Sequence, residues 1–213
     1  MSLIENKDRT LEEQKHDFCG HSLNITMFKG ASLGVSAYVW GPGLVLCQYF
    51  QDEKFDFTGK KVLELGSGTG IVGILAVLLG GDVTMTDRHR ILSQIEYNVD
   101  ANIPAESRTR SKISALAWGA DQDKYPTDFD FILGSDLVYS PSQFPDLLQT
   151  LLYFCSEKTT IYLCSNLNAR MGAYDFHNEV LPKQFDSELL HQIGGDCIYK
   201  LTKKTSHETI DGV

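Results

Sequence analysis

A glycine-rich turn between a strand and a helix is the feature that most constrains the fold of this chain. Residues 62–70 read VLELGSGTG, and an apolar stretch of helical length begins at Ile71. Gly66, Gly68 and Gly70 allow a tight turn whose backbone can approach a ligand closely. A strand, such a turn and a helix form the first unit of a parallel α/β sheet. We therefore expect a ligand site at the end of this strand.

Short strands and helices alternate through most of the chain. Apolar and β-branched runs predict strands at residues 61–65, 83–87, 109–115, 129–134 and 159–165. Segments of helical length lie between them at residues 71–79, 91–102 and 144–154. Two weaker strands, residues 185–190 and 197–201, flank Gly194-Gly195 and predict an antiparallel hairpin. The sequence predicts an α/β fold with a doubly wound, mostly parallel, seven-stranded Rossmann-like sheet and a C-terminal antiparallel hairpin.

The N-terminal part of the chain has a different pattern of charged and apolar residues. Residues 1–17 contain eight charged side chains and no periodic apolar pattern, which predicts a mobile leader. Residues 18–28 alternate apolar and polar side chains around a glycine, which predicts a strand or a small hairpin. The proline of Gly41-Pro42-Gly43 predicts the start of a helix through residues 44–50. We expect one domain over residues 18–213.

The charge of the chain restricts its partners. The 213 residues include 28 acidic and 19 basic side chains, a net charge of −9, which disfavours direct binding to nucleic acid and favours a basic protein partner. No window approaches the roughly 18 apolar residues of a membrane span, and no signal-peptide core is present. We expect a cytoplasmic monomer that does not bind membranes. The cysteines and histidines lack zinc-ligand spacing, so we expect no metal.

Two acidic residues near the glycine turn narrow the choice of ligand. A dinucleotide fingerprint would need a third glycine at Ile71. Glu64 precedes the turn, where its charge would repel a pyrophosphate and suit an ammonium group. Asp87 ends the next strand, where an acidic residue typically binds a ribose diol. S-Adenosylmethionine carries an ammonium group and a ribose but no phosphate, so it is the cofactor we expect. The alternative is a structural turn followed by a helix-capping Asp.

Three further side chains follow strands at the same edge of the predicted sheet. Trp118 follows the third strand, near the expected position of an adenine, although tryptophan is more often a core residue. Asp136 and Tyr139 follow the fourth strand and can converge on a reacting centre. An Asp at the end of a strand is also a common helix cap.

Taken together, these motifs resemble a known family. Residues 18–26, 33–40, 59–87, 116–119 and 131–139 are similar to the seven-stranded, S-adenosylmethionine-dependent protein lysine methyltransferases of the methyltransferase-like 21 group. The matching segments are spread over most of the chain between residue 18 and about residue 201. Within that group, FCGHSLNIT and GKKVLELGSGTGIVGILA are most similar to the subgroup that methylates a lysine of translation elongation factor 1-alpha.

The resemblance implies roles for particular residues. By position, it implies cofactor contacts for Trp40, Gly66, Ser67, Gly68, Asp87, Trp118 and Ser135. Asp136 and Tyr139 match the Asp-x-x-Tyr signature, which in the family lies beside the methyl group and the incoming lysine. One departure stands out: Gly41-Pro42-Gly43 replaces the Asp-Ala-Ala that family members commonly have after the tryptophan.

The resemblance also implies a function. We expect a protein-lysine N-methyltransferase whose substrate is a basic folded protein, elongation factor 1-alpha. One alternative is a methylase of another protein or nucleophile, although the Asn-Pro-Pro-Tyr signature typical of amide or base nitrogens is absent. Another is a binding module of the same fold without catalysis, for which Gly41-Pro42-Gly43 is the best support. Cofactor binding separates the enzymes from the inactive scaffold. The modified lysine and the number of methyl groups stay open.

Overall fold

The computed structural model describes residues 10–30, 33–168 and 172–204. The strands in these ranges are β1 (Thr10–Phe18), β2 (His21–Lys29), β3 (Lys61–Leu65), β4 (Asp82–Asp87), β5 (Ser111–Ala115), β6 (Phe131–Ser135), β7 (Thr160–Asn166), β8 (Phe185–Ile193) and β9 (Asp196–Lys203). The longer helices are α1 (Gly41–Asp52), α2 (Ile71–Leu78), α3 (Leu92–Asn102) and α4 (Phe144–Phe154). A segment of three short turns, Ala173–Asp175, Phe176–Val180 and Leu181–Lys183, precedes β8.

The main sheet has the strand order β5-β4-β3-β6-β7-β9-β8. β3 to β7 are parallel, whereas β9 is antiparallel to both of its neighbours, β7 and β8. This arrangement confirms the predicted doubly wound sheet with a C-terminal antiparallel hairpin. The order reverses between β3 and β6, and ligands of such sheets bind in the crevice at that point, beyond the C-terminal ends of the strands.

The sheet is covered on both faces. Side chains alternate along β3, so that Val62 joins the apolar cluster under α1, α2 and α3, whereas Leu63 and Leu65 join the cluster under α4. Glu64 follows the same alternation and lies on the face of Val62. Both layers pack against the central strands, and the site is built on the ends of those strands.

The expectation of a mobile leader over residues 1–17 is wrong for residues 10–17. These residues belong to β1, which pairs with β2 from Thr10 opposite Lys29 to Phe18 opposite His21. The prediction failed because β1 is mostly exposed and carries little apolar pattern of its own. Its partner β2 supplies the buried side chains. Residues 1–9 lie outside the described residues.

The hairpin formed by β1 and β2 is fastened to α3 of the main domain. The backbone N–H of Thr26 donates to Oδ1 of Asn98 at 2.8 Å, and Nδ2 of Asn98 donates back to the Thr26 carbonyl at 3.0 Å. Asn98 is fully buried. The turn of the hairpin is Cys19-Gly20, and both residues have positive φ values, 53° and 78°, as tight hairpins require.

The remaining predicted elements agree closely with the structure. The helix predicted after Gly41-Pro42-Gly43 is α1, which begins at Gly41 with the proline in its first turn. The strand predicted from residue 109 starts at Ser111, because a 3-10 turn occupies Ala105–Arg110. None of the helices within the described ranges has both the length and the apolar character that a bilayer crossing needs.

Candidate active site

A cavity of about 430 Å³ opens at the C-terminal edge of the sheet, where β3, β4 and β6 end. Its volume lies within the range usual for small-molecule sites. All but one of the sequence-predicted site residues line it: Trp40, Gly66, Ser67, Gly68, Asp87, Trp118, Ser135, Asp136 and Tyr139. The exception is Glu64.

The glycine turn forms the floor of the cavity. Gly66, Gly68 and Gly70 have φ values of 61°, 56° and 84°, in the left-handed region that favours glycine. A Cβ at position 66 would lie 2.6 Å from Cδ2 of Leu137, so a larger residue would also displace the loop after β6. The turn is closed by a hydrogen bond from the Gly70 N–H to the Ser67 carbonyl at 2.7 Å. A bare backbone is therefore presented to the ligand.

Asp87 ends β4 with its carboxylate in the cavity. The Gly68 N–H donates to its Oδ2 at 2.9 Å, and the Arg88 N–H donates to its Oδ1 at 2.7 Å. Burial raises the pKa of Asp87, while these two amides and the Arg88 guanidinium oppose the rise. Only 7% of the residue is exposed. A buried carboxylate fixed in this way at a strand end suits the two hydroxyls of a ribose.

Trp40 forms one wall of the cavity together with a 3-10 turn at Gly34–Ala37. The indole Nε1–H of Trp40 donates to the Val35 carbonyl at 2.8 Å. The Trp40 carbonyl in turn accepts the Gly43 N–H at 3.1 Å, at the start of α1. Trp40 thus connects the turn, through its side chain, to the helix, through its backbone carbonyl, and its indole leaves an aromatic surface at the mouth of the cavity.

The opposite wall consists of Trp118 and the residues that follow β6. Cζ2 of Trp118 lies 3.4 Å from the position that a Cβ on Gly66 would occupy. The loop that carries Trp118 is tied to α4, since the Gly119 N–H donates to Oγ1 of Thr150 at 2.9 Å. Oγ of Ser135 lies 3.4 Å from the Cβ position of Gly43. The indole therefore lies beside the glycine turn, and the serine lies beside the start of α1.

Asp136 has an unusual backbone conformation. Its φ of 53° is in the left-handed region, which a residue other than glycine rarely adopts. The conformation is held by a hydrogen bond from the Asp136 N–H to the Cys164 carbonyl at 2.8 Å. Such a residue costs of order 1–3 kcal/mol, and strain of this kind clusters at functional sites. Asp136 and Tyr139 both line the cavity, as the sequence predicts.

The expectation that Glu64 faces the ligand is not met. The alternation along β3 points its side chain beneath α2 instead, and a Cβ on Gly73 would collide with Oε2 of Glu64. Burial raises the pKa of Glu64 to about 8, against smaller opposing effects of the Ser67 side chain and the Gly73 amide. The carboxyl is therefore mostly protonated at neutral pH and offers no negative charge to a ligand ammonium group.

Several residues that the sequence interpretation did not single out also contribute to the cavity. Arg88, Ser36, Gln143 and Asp146 line it, and Nη2 of Arg88 donates to Oγ of Ser36 at 3.3 Å. Arg88 could have been found from its position next to Asp87. The described residues contain no group of three or more His, Cys, Asp or Glu side chains arranged to hold a metal ion.

Solved structures with the same doubly wound fold include methyltransferases. The chain matches a structure of the Thermus thermophilus 16S rRNA N2 G1207 methyltransferase RsmC in complex with AdoMet and guanosine, with a TM-score of 0.66 and 15% identity. The match covers 91% of this chain and 51% of that one, so this chain spans about half its length. Magnesium protoporphyrin IX methyltransferase of Synechocystis PCC 6803 with bound SAH has a TM-score of 0.56 and 11% identity, with 76% and 81% of the two chains covered. At these identities the likeness establishes the fold.

Sequence relatives define the family. The sequence model of the family described as lysine methyltransferase matches residues 19–184. The chain is 48% identical to EEF1A lysine methyltransferase 3 of Xenopus tropicalis over 92% of this chain and 88% of the relative. The mouse protein of that name is 50% identical over 85% and 78%. Protein N-lysine methyltransferase METTL21A of Xenopus tropicalis is 41% identical over 78% and 80%.

The chain belongs to the lysine methyltransferase family. It is a protein-lysine N-methyltransferase, and its cofactor is S-adenosylmethionine. The cavity fits that cofactor, because it combines a bare glycine turn, a buried carboxylate at Asp87 and two indole side chains. Intact cavity residues and an α1 that starts at the expected place speak against an inactive scaffold.

Proposed function

We propose that this protein methylates a lysine of the elongation factor EEF1A. The observation that carries the proposal is the 48% identity, over 92% of the chain, to a relative named EEF1A lysine methyltransferase 3. The net charge of −9 supports a basic protein as the substrate and argues against direct binding to nucleic acid. We further propose that the enzyme works as a monomer in the cytoplasm, as one domain that includes the N-terminal hairpin.

We assign the cofactor contacts by the positions of the lining residues. Asp87 accepts hydrogen bonds from the ribose, and the backbone of Gly66, Ser67 and Gly68 holds the methionine part. Trp118 and Ser135 flank the adenosine, and Trp40 covers the entrance. When bound, S-adenosylmethionine supplies a methyl group on a positively charged sulfur. Because this group is already activated, the protein contributes mainly proximity, orientation and electrostatics.

The substrate lysine must lose a proton before it can react, and this requirement limits the roles that Asp136 and Tyr139 can have. A lysine has a reference pKa near 10.4, and its amine must be neutral to act as a nucleophile. Partial desolvation in the cavity lowers the lysine pKa, whereas a carboxylate in contact with the ammonium group would raise it. We therefore assign Asp136 an orienting role and Tyr139 a role in shaping an aromatic channel. The proton leaves through water rather than to a dedicated base.

The experiment that tests the proposal is methyl transfer in a cell lysate. Purified protein is incubated with radiolabelled S-adenosylmethionine and lysate, and the labelled band is identified by mass spectrometry. Label on a lysine of EEF1A supports the proposal. Label on a different protein would instead favour the alternative of another protein substrate. The Asp136→Asn variant is the control for transfer by other enzymes of the lysate.

A further inference from the structure

Three amide side chains form a ladder along one side of α3. Gln94, Asn98 and Asn102 follow one another at intervals of four residues, a spacing that places side chains on one helix face. Their side-chain oxygens accept alternate backbone N–H groups of β2, from Phe28 at 2.8 Å, Thr26 at 2.8 Å and Asn24 at 2.7 Å. Four helical residues rise about 6 Å and two strand residues about 6.7 Å, so the two repeats match. The amide ladder therefore replaces a neighbouring strand for β2.

The donor groups of the ladder do not all serve the hairpin. Nδ2 of Asn102 donates to the carbonyls of Asn24 and Asn98, at 2.9 and 2.7 Å. Nε2 of Gln94 instead donates to the Ser36 carbonyl at 2.9 Å and to the Gly68 carbonyl at 3.1 Å. Ser36 and Gly68 both line the cavity. Gln94 thus joins three separate segments: the hairpin, the 3-10 turn at the cavity wall and the glycine turn.

The hydrogen bonds of Gln94 are buried, so their loss would leave polar groups without partners. Gln94 has no exposed surface, and its oxygen and amide group are all used in the bonds described. Without this side chain, the Ser36 and Gly68 carbonyls would lose a shared donor that water cannot easily replace. The Gly68 N–H is also one of the two backbone amides that hold the Asp87 carboxylate. A shift of Gly68 would therefore be transmitted to the carboxylate that faces the ribose.

We propose that Gln94 is a positioning residue for cofactor binding, which acts through the Ser36 and Gly68 carbonyls and couples the N-terminal hairpin to the cavity. The coupling keeps the glycine turn and the 3-10 turn of the Trp40 wall in the arrangement that binds S-adenosylmethionine. If only a fraction of the molecules has that arrangement, the apparent dissociation constant equals the intrinsic constant divided by that fraction, so binding is weaker. The inference requires cofactor binding alone, so it does not depend on which protein is the methyl acceptor.

A matched pair of variants tests the proposal. Gln94→Met keeps the length of the side chain and removes all three hydrogen bonds, whereas Asn102→Leu removes the bonds of the ladder member that does not touch the cavity. Both should lower the melting temperature. Calorimetric titration with S-adenosylmethionine should give a dissociation constant about tenfold higher for Gln94→Met and within about twofold of the wild type for Asn102→Leu. An unchanged constant for Gln94→Met, or an equal rise in both variants, would overturn the proposal.

A measurement on the unmodified protein decides the case if Gln94→Met does not fold. Hydrogen exchange is followed by NMR with and without S-adenosylmethionine for the Phe28 amide, bonded to Gln94, and the Asn24 amide, bonded to Asn102. The coupling predicts that the cofactor slows exchange at Phe28 several-fold more than at Asn24. Equal slowing at both amides would contradict it.

Discussion

At the scale of single residues, Asp136 and Glu64 illustrate how the environment determines what a carboxyl group can do. Both are nearly inaccessible to solvent, at 7% and 2% exposure. Asp136 follows the end of β6, so its carboxylate reaches the cavity from a strained but fixed backbone. Glu64 lies inside β3, and the strand alternation sends it under α2. We therefore expect Asp136 to act on the substrate and Glu64 to affect stability.

The Asp136→Asn variant separates orientation of the lysine from binding of the cofactor. Asparagine tolerates the left-handed backbone and keeps the shape of the side chain, so the fold should be retained. We expect the single-turnover rate at saturating cofactor and substrate to fall about a hundredfold, while the cofactor dissociation constant changes less than about twofold. Asp87→Asn is the control and should weaken cofactor binding. An unchanged rate for Asp136→Asn would reduce this residue to a structural role.

Glu64 should make stability depend on pH. Its pKa is about 8 in the folded protein, above the ordinary value of 4.5. The proton held by the folded state stabilises it below pH 4.5, and this contribution disappears as the pH rises through 8. Relative to Glu64→Gln, the free energy of unfolding of the wild type should fall by about 2 kcal/mol between pH 6 and pH 8. Urea denaturation at both pH values measures this difference, and parallel curves for the two proteins would refute the assignment.

At the scale of elements, the start of α1 depends on a strand far away in sequence. Neither the Trp40 side chain nor any acidic residue in the first turn of α1 caps this helix end. Asp196 lies at the start of β9, and its Oδ2 is 3.1 Å from the position that a Cβ on Gly41 would occupy. Nδ2 of Asn166 donates a hydrogen bond to Oδ1 of Asp196 at 2.8 Å. A carboxylate so close to a helix N-terminus is favourable. Gly41 leaves the space that this carboxylate occupies.

Replacement of Gly41 by Asp should therefore be most harmful while position 196 carries a negative charge. Two carboxylates at this distance repel each other, so Gly41→Asp should lower the free energy of unfolding by about 1–2 kcal/mol at pH 7. The double variant Gly41→Asp/Asp196→Asn moves the charge to the helix itself and should regain most of that loss. Chemical denaturation of the single and double variants measures the interaction. Additive losses would exclude the proposed interaction between the two positions.

The sequence predicts the main sheet well because each of its strands and helices has its own apolar pattern. β3 and α4 lie at the predicted residues, and the strand-end positions of Asp87 and Asp136 follow from the same pattern. β1 was missed because its order comes from β2, which is itself held by α3. Glu64 is close to the turn in sequence, but the alternation along the strand turns its side chain away from the cavity. Gln94 does have a signal in the sequence, because amide side chains repeat every fourth residue on a predicted helix.

At the scale of the whole molecule, net charge should govern the encounter with the substrate. A protein of net charge −9 attracts a basic partner over distances that salt shortens. We expect the rate constant kcat/KM for native EEF1A to fall as salt rises from about 50 to 300 mM, where the screening length is below roughly 6 Å. The cofactor dissociation constant, measured over the same range, is the control and should change little. A flat salt profile for kcat/KM would rule out electrostatic steering.

We propose that the enzyme methylates a lysine of EEF1A in the folded protein, and a direct comparison of rates tests this proposal. Purified native EEF1A, the same protein after denaturation and peptides around its lysines are incubated with the enzyme and labelled S-adenosylmethionine, and the modified residue is located by mass spectrometry. We predict transfer to one site of the native protein, at a rate far above that of the denatured protein or the peptides. The absence of transfer to native EEF1A would contradict the substrate, and equally fast methylation of the denatured protein or a peptide would contradict recognition of the folded form.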